Sequence, residues 1–311
     1  HPRVRRQRQM CIRDRVMTEG GLVKRIPSSS FRTQRRNGKG IKTENDVVSA
    51  VIRTNTIDSL MVFTNKGKMY RILVDNIPVG TNTTKGQSLQ SLIEMESDEK
   101  PTLIYSIYRD TDANYVLFAT KNGVVKKTSL EEYIKTKKKT GLAAINLRED
   151  DSLASVNLIK DEDILLITKK GMMIRFASNE ITSSSRATMG MKGINLADGD
   201  EVVSALPIRH EDDQIAIISE KGLGKKVSLK EAIRQKRAGK GLICYKPTDV
   251  SGEVIGASLI SDEDSILLVG VPNSICISAK DIPLQGRNAI GNQLIKHGNI
   301  CLLYTSDAAD E

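Results

Sequence analysis

A seven-residue loop sequence occurs twice in this chain, at positions 201 residues apart. The first copy is QRRNGKG at 34–40 and the second is QKRAGKG at 235–241. The same offset carries Gly21 onto Gly222 and Lys24 onto Lys225. Matching neighbours at one constant offset identify an internal repeat, which constrains the chain to an array of equivalent units.

The repeated unit begins with a β-hairpin and continues with a polar loop and two further short strands. An apolar strand, a glycine turn and a second strand ending in basic residues occur at 16–25, 60–71, 116–127, 164–175 and 215–226, and a sixth copy without the glycine lies at 266–277. Four strands per unit at a period of about 50 residues predict an all-β, propeller-like ring. The chain has no Trp, which argues against a WD-type propeller.

The two ends of the chain do not fit the repeat. Residues 5–14 resemble a translated sequencing-library adapter, and residues 301–311 resemble the translation of its reverse complement. We therefore expect residues 1–15 and 301–311 to be assembly scars and the domain to span 16–300. The predicted blades are approximately 16–52, 57–108, 114–157, 160–208, 212–258 and 262–300, with the last expected to be truncated.

Charge is segregated by repeat position in a chain of formal net charge +9. Acidic runs precede the first or fourth strand of a unit, as at 161–163 and 262–264, whereas basic residues end the second strand and fill the next loop. Equivalent positions in a ring lie on the same edge or face. The pattern therefore predicts one basic rim, which suits a polyanionic partner.

The basic rim predicts binding of duplex DNA without base reading, because Lys and Arg release counterions from closely spaced phosphates. Gly38 and Gly40 are expected to let backbone N–H groups approach a phosphate, and Arg35 and Arg36 to make bidentate contacts. Four Phe and seven Tyr are few for a single-strand stacking platform. The candidate DNA-binding residues are Arg32, Gln34, Arg35, Arg36, Gly38, Lys39, Gly40, Lys126, Lys127, Lys137, Lys138, Lys139, Arg186, Lys225, Lys226, Gln235, Lys236, Arg237, Gly239, Lys240, Gly241 and Arg287.

Catalytic and metal-binding patterns are missing from the sequence. The three His residues are scattered, and Cys244 and Cys276 lie in apolar runs that predict core positions in a reducing compartment. The GKG at 38–40 lacks the spacing of a P-loop, and no apolar run is long enough to cross a membrane. We expect no catalytic residue, metal or cofactor on this chain.

At these residues the chain resembles the C-terminal domain of the bacterial DNA gyrase A protein, a type IIA topoisomerase family, whose signature loop is QRRGGKG. One position departs, Asn37 for Gly, and Asn tolerates left-handed backbone geometry better than most residues. The resemblance covers 16–300 and implies a six-bladed β-pinwheel, in which neighbouring blades exchange strands. It places the family's wrapping element at 34–40, and we predict the copy at 235–241 as a second contact.

The resemblance also implies a function and partners. Such a domain wraps duplex DNA around its basic perimeter, so that the heterotetramer of gyrase A and gyrase B introduces negative supercoils with ATP and Mg²⁺ bound elsewhere. The implied partners are duplex DNA, the rest of gyrase A and gyrase B, in the bacterial cytoplasm at the nucleoid and without a membrane. Two alternatives stay open: the corresponding C-terminal domain of topoisomerase IV, whose signature loop is degraded or missing, and a non-enzymatic basic scaffold for acidic proteins.

Overall fold

Six four-stranded antiparallel sheets lie in the part of the chain that the structure, a computed structural model, describes. That part comprises residues 13–19, 21–27, 34, 41–42, 48–55, 58–81, 84–107, 111–135, 140–271, 273–296 and 299–306. Each repeat supplies three strands to its own sheet and one two-residue strand to a neighbouring sheet. This confirms the all-β ring of four-stranded blades predicted from the repeat.

The secondary structure repeats with little variation from blade to blade. The three strands of each blade are β1 (Arg13–Glu19), β2 (Leu22–Pro27) and β4 (Val48–Asn55); β5 (Ser59–Thr64), β6 (Lys68–Leu73) and β8 (Pro101–Ile107); β9 (Tyr115–Thr120), β10 (Val124–Ser129) and β12 (Leu153–Ile159); β13 (Asp163–Thr168), β14 (Met172–Ala177) and β16 (Val202–Ile208); β17 (Gln214–Ser219), β18 (Leu223–Ser228) and β20 (Val254–Ile260); β21 (Ser265–Val271), β22 (Asn273–Ser278) and β24 (Asn299–Ser306). The exchanged strands are β3 (Ile41–Lys42), β7 (Gln87–Ser88), β11 (Leu142–Ala143), β15 (Met191–Lys192), β19 (Leu242–Ile243) and β23 (Asn292–Gln293). One α-helix, α1 (Glu131–Ile134), and 3-10 turns at Val74–Asn76, Leu89–Ser91, Ser178–Glu180, Leu229–Glu231 and Ala279–Asp281 complete the described elements.

Strand exchange joins each blade to the next. The sheet orders are β4-β1-β2-β7, β8-β5-β6-β11, β12-β9-β10-β15, β16-β13-β14-β19, β20-β17-β18-β23 and β24-β21-β22-β3. The last order pairs Asn273 with Lys42 and Ser274 with Ile41, so the first repeat completes the sixth blade and closes the ring. Each exchanged strand also covers a sheet edge whose N–H and C=O groups would otherwise lack partners.

The opposite sheet edges face the centre of the ring. The strands β4, β8, β12, β16, β20 and β24 contact one another in succession, and β24 contacts β4. The exchanged strands therefore lie at the outer edge. This arrangement puts the loops that lead into them on the perimeter.

The sixth blade differs from the prediction of a truncated unit. β24 runs antiparallel to β21 from Asn299 opposite Val271 to Ser306 opposite Ser265, so this blade has four strands and does not stop at residue 300. Strand pairing depends on backbone groups and apolar patterning, not on where the residues came from. The adapter origin of residues 301–311 stays a prediction.

The core lies between blades, because the first strand of a repeat is buried on both faces. In β13, Ile164 and Leu166 pack with side chains of the preceding blade, whereas Leu165 and Ile167 pack with side chains of the following one. Alternate side chains of a strand point to opposite faces, so one strand serves two interfaces. Each fully buried Leu or Ile side chain contributes roughly 1.5–3 kcal/mol to the free energy of folding.

Gly171, in the turn between β13 and β14, offers a test of this packing. Its φ is 79°, and a Cβ at this position would lie 2.1 Å from the carbonyl oxygen of Tyr245, a residue of the following repeat. We expect Gly171→Ala to lower the free energy of unfolding by at least about 2 kcal/mol, combining the left-handed backbone cost with the clash. Gly286→Ala is the control, since a Cβ there meets no atom within 4 Å. Equal denaturant midpoints for the two variants would contradict the close approach.

Candidate nucleic-acid interface

Seven-residue loops lead into the exchanged strands at the outer edge of the ring, and we call them rim loops. Rim loops one to six are residues 34–40, 80–86, 135–141, 184–190, 235–241 and 285–291. The structure describes rim loops four, five and six completely, and it describes the first three in part. The two copies of the repeated sequence are thus rim loops one and five.

The first residues of rim loops one and five are each fixed to the neighbouring blade by a backbone hydrogen bond. The N–H of Gln235 donates to the carbonyl of Arg175 at 2.7 Å, and the N–H of Gln34 donates to the carbonyl of Cys276 at 2.7 Å. Both acceptors lie in the second strand of the preceding blade around the ring. Gln34 and Gln235, which match in sequence, therefore also match in structure.

The last glycine of rim loop five is required by packing. Gly241 has a φ of 79°, and a Cβ would lie 2.4 Å from the carbonyl oxygen of Met173 on the preceding blade. Close approach of a phosphate to the backbone, as expected for Gly38 and Gly40, is not needed to explain Gly241. A backbone-to-backbone contact between blades explains it.

Lys126 and Lys225, both predicted DNA contacts, are buried instead. Their exposed fractions are 1% and 0%. The Lys126 ammonium donates to the carbonyls of Ala144, at 2.6 Å, and Arg186, and the Lys225 ammonium donates to those of Gly286 and Arg287, at 2.9 and 2.7 Å. Burial lowers the pKa of each lysine to about 8. These lysines anchor rim loops four and six and are not available to phosphate.

The adjacent predicted contacts, Lys127 and Lys226, are also enclosed. Lys127 Nζ donates to the carbonyl of Ser178 at 2.9 Å and lies 4.9 Å from the centroid of the Tyr115 ring. Lys226 Nζ forms an ion pair with Asp262 at 2.7 Å. The prediction was wrong for all four lysines, because two basic residues ending a strand suggest a surface position although the whole strand is covered.

In rim loops four and six, the third residue is an arginine bound to an acid of the preceding repeat. Arg186 Nε lies 3.6 Å from a Glu132 carboxylate oxygen, and Arg287 Nε lies 3.2 Å from one of Glu231. Both arginine side chains are 35% exposed. Sequence reasoning missed these acids, although their recurrence at one repeat position was a usable signal.

Arg237 in rim loop five is held differently. Its backbone N–H donates to Glu180 Oε2 at 2.9 Å, and its guanidinium donates to the backbone carbonyls of Glu180, at 3.3 Å, and Lys192. Glu180 occupies the same position in its repeat as Glu132 and Glu231. An acid at this position therefore contacts a rim loop at three blade interfaces. Here it orients the loop backbone.

Lys236 and Lys240 are the exposed cations of rim loop five. Neither has a hydrogen bond or an ion pair with another residue of the described chain. Gly239 lies between Arg237 and Lys240, and its carbonyl accepts from the N–H of Asn195 at 2.9 Å. Rim loop five therefore presents, on a fixed backbone at the perimeter, two ammonium groups that have no partner in the described part of the chain.

Several predicted contacts fall where the structure gives no description. Arg32, Arg35, Arg36, Gly38, Lys39, Gly40, Lys137, Lys138 and Lys139 lie outside the described residues. Their participation in a basic rim stays a prediction. For the described positions, no helix is long and apolar enough to cross a membrane, and no cluster of three His, Cys, Asp or Glu side chains is arranged to hold a metal ion.

Comparison with known proteins places this ring in a family. The model of the DNA gyrase C-terminal domain, beta-propeller, matches residues 16–55, 58–100, 114–160, 162–209, 213–261 and 277–299. The chain belongs to the DNA gyrase C-terminal domain family. The match begins at residue 16 and ends at 299, close to the predicted domain bounds of 16 and 300.

Relatives of the family share the whole length of the ring. The chain is 36% identical to the DNA gyrase A protein of Lawsonia intracellularis, with 95% of this chain and 37% of the relative covered. It is 35% identical to the DNA gyrase A protein of Clostridium acetobutylicum, with 91% and 34% covered. The chain thus spans about a third of the length of these relatives.

Solved structures confirm the pinwheel architecture. A structure of the DNA gyrase A C-terminal domain is 26% identical, with a TM-score of 0.84 and coverage of 94% of this chain and 98% of that one. The C-terminal domain of DNA topoisomerase IV is 27% identical, with a TM-score of 0.75 and coverage of 96% and 94%. The gyrase-family resemblance inferred from the sequence is confirmed.

Ala238 carries a backbone strain that a substitution can relieve. Its φ is 66°, the only positive value of a non-glycine residue in the described chain, and it occupies the place of Asn37 in the other copy of the loop. We expect Ala238→Gly to raise the free energy of unfolding by about 1 kcal/mol, because a left-handed Ala costs roughly 1–2 kcal/mol and part is lost to backbone entropy. Ala187→Gly in rim loop four is the comparison and should not stabilise. A lower melting temperature for Ala238→Gly would contradict the assignment.

The buried Lys126 makes stability depend on pH. Since its folded pKa of about 8 lies below the ordinary 10.5, the unfolded chain binds more protons between these values, and stability rises with pH there. We expect the unfolding free energy of the native chain, relative to Lys126→Met, to increase by about 1.5 kcal/mol between pH 8 and pH 9.5. Titrations common to both proteins, such as that of buried Cys244, cancel in this difference.

The same measurement on Lys246→Met, which alters an exposed lysine, provides the control. Its difference from the native chain should stay constant across the same pH range. A constant difference for Lys126→Met as well would mean that the Lys126 ammonium is not buried.

Proposed function

We propose that this domain binds duplex DNA along its outer rim and wraps it, so that the parent gyrase introduces negative supercoils. The observation that carries the proposal is the pair of exposed ammonium groups of Lys236 and Lys240, which have no partner among the described residues, on the fixed rim loop five. Such cations gain affinity for polyphosphate by releasing condensed counterions. Membership in the gyrase C-terminal domain family supports the choice of DNA as the polyanion.

Binding through the rim is independent of base sequence. Reading bases in the major groove requires a helix or a two-stranded ribbon that enters it. The described elements at the perimeter are two-residue strands, and α1 has four residues. Loops that present cations contact the phosphate backbone, which positions DNA without specifying its sequence.

The curvature of the rim requires several contacts to act together. Smooth bending of a 20–30 bp duplex by 40–90° costs on the order of 1–6 kcal/mol. Equivalent loops around one ring offer repeated contacts along one curved path, which offsets this cost. Wrapping is therefore a property of the ring and not of one loop.

The remaining steps of the reaction belong to other parts of the enzyme in this proposal. The chain spans about a third of its gyrase A relatives. We propose that the rest of gyrase A and gyrase B are its partners, that ATP and Mg²⁺ act there, and that the domain works in the bacterial cytoplasm without catalytic chemistry of its own.

A second candidate function is the bending of DNA without chiral wrapping, as part of a topoisomerase IV. Structural similarity to the topoisomerase IV C-terminal domain supports this second candidate. The two functions differ in whether the bound DNA changes its linking number.

Sealing a nicked plasmid with ligase while the domain is bound distinguishes these functions. A dose-dependent linking-number change of one sign is expected for chiral wrapping. Binding without a change would support topoisomerase IV-like bending or a basic scaffold, and absence of DNA binding would refute the proposed function.

Replacing Arg35, Arg36 and Lys39 with Ala should leave the fold intact and reduce that linking-number change. The slope of log affinity against log salt should shrink by about 0.9 for each phosphate that the variant no longer binds. The matched control replaces Lys121, Lys160 and Lys169, which pair with acids away from the rim loops, with Ala. Equal reductions in the two triple variants would show that net charge, and not the signature loop, drives wrapping.

A further inference from the structure

The basic charge of the rim loops alternates around the ring. Rim loops one, three and five carry three, four and three Lys or Arg residues, whereas rim loops two, four and six carry one each. The single cations of the weaker set are Lys85, Arg186 and Arg287. Blades of two kinds therefore follow one another.

The alternation extends into the sheets beneath the loops. The third residue of the second strand is lysine in the first, third and fifth blades, namely Lys24, Lys126 and Lys225. Each is buried, and each donates to a backbone carbonyl of the weakly charged loop above it: Thr84, Arg186 and Arg287 respectively. The other three blades have Tyr70, Ile174 and Ile275 at this position.

Ion pairing removes the remaining charge of rim loops four and six. Arg186 is paired with Glu132 and Arg287 with Glu231, which leaves each loop with no net formal charge. Rim loop five has three cations and one neighbouring acid, Glu180, which leaves a net charge of two. The free positive charge is thus confined to one loop of these three.

Within rim loops four to six the sixth position shows the same division, whereas rim loops two and three have Lys85 and Thr140 there. Lys240 occupies it in rim loop five, whereas exposed apolar side chains, Met189 at 51% and Ile290 at 41%, occupy it in rim loops four and six. An ammonium buried below a loop repels further cations placed on that loop. This repulsion gives a physical reason for the weak charge of the anchored loops.

We propose that DNA binds at alternate blade interfaces. Rim loop five binds phosphates. The neighbouring rim loops four and six, which are held by buried lysines, do not bind phosphates. The numbers of Lys and Arg in rim loops one to three alternate in the same way in the sequence. The proposal rests on DNA binding at the rim. It adds that, of the three rim loops that the structure describes completely, only rim loop five carries that binding.

Two double variants that remove the same number of cations test this proposal in the full chain. For Lys236→Met with Lys240→Met, the slope of log affinity against log salt should fall by about 1.8, because two phosphates are no longer bound. For Arg186→Met with Arg287→Met, the slope should stay within about 0.3 of the native value, because these arginines are bound to Glu132 and Glu231. The probe is a linear duplex titrated at several salt concentrations, with circular dichroism to verify folding.

A third variant separates direct phosphate binding from repulsion by the exposed acids. The arginine variant could lose affinity because the carboxylates of Glu132 and Glu231, no longer paired with arginine, repel DNA. In that case, adding Glu132→Gln and Glu231→Gln should restore the affinity. The proposal is overturned if the arginine variant that also carries both glutamines shows the same reduction in the slope of log affinity against log salt as the lysine variant. Failure of the native chain to bind duplex DNA would instead refute the proposed function.

Photo-crosslinking tests the proposal without the double substitutions. A benzophenone side chain placed at the second loop position, in turn at Ser185, Lys236 and Gly286, samples three successive exposed sites. At least several-fold more DNA should crosslink at 236 than at 185 or 286. Equal crosslinking at the three positions would overturn the proposal.

Discussion

Pairing between the second strand of one blade and a two-residue strand of the next repeat is the interaction on which the ring depends. It is small, since β23 contributes only Asn292 and Gln293 to the sheet of β18. Yet it fixes the end of the rim loop that leads into the strand, while backbone hydrogen bonds such as those of Gln34 and Gln235 fix the start. Side chains at the perimeter are consequently positioned by backbone hydrogen bonds between neighbours, and the rim has a defined shape although it is made of loops.

Buried lysines also hold the interior of rim loops in place, because their ammonium groups donate to loop carbonyls. An ammonium that donates to two carbonyls satisfies groups that a short loop cannot satisfy by itself. Lys225 does this for Gly286 and Arg287, and the Tyr245 hydroxyl donates to the carbonyl of Ile290 in the same loop. A basic protein thus uses part of its positive charge for internal order, and the charge seen by a partner is smaller than the composition suggests.

Most of the architecture could be predicted from the sequence, because glycine turns and apolar strands recur at a fixed period. The turn containing Gly171 and the buried strand Asp163–Thr168 are examples. Strand exchange followed only from the family resemblance, since a two-residue strand such as Leu242–Ile243 is too short to show a period. Four of the lysines predicted to bind DNA were misplaced because side-chain burial in the second strand depends on the loop of another repeat, which local sequence does not encode.

Ring closure has a consequence for how the domain is made. Ile41 and Lys42 pair with Ser274 and Asn273, which emerge from the ribosome more than two hundred residues later. At about 5–20 residues per second, synthesis of that span takes roughly 10–50 s. Middle blades can acquire their partner strands within one repeat of synthesis, whereas the sixth blade must find a segment near the beginning of the chain. The nascent domain therefore forms as an open chain of blades, and its first and last repeats join late.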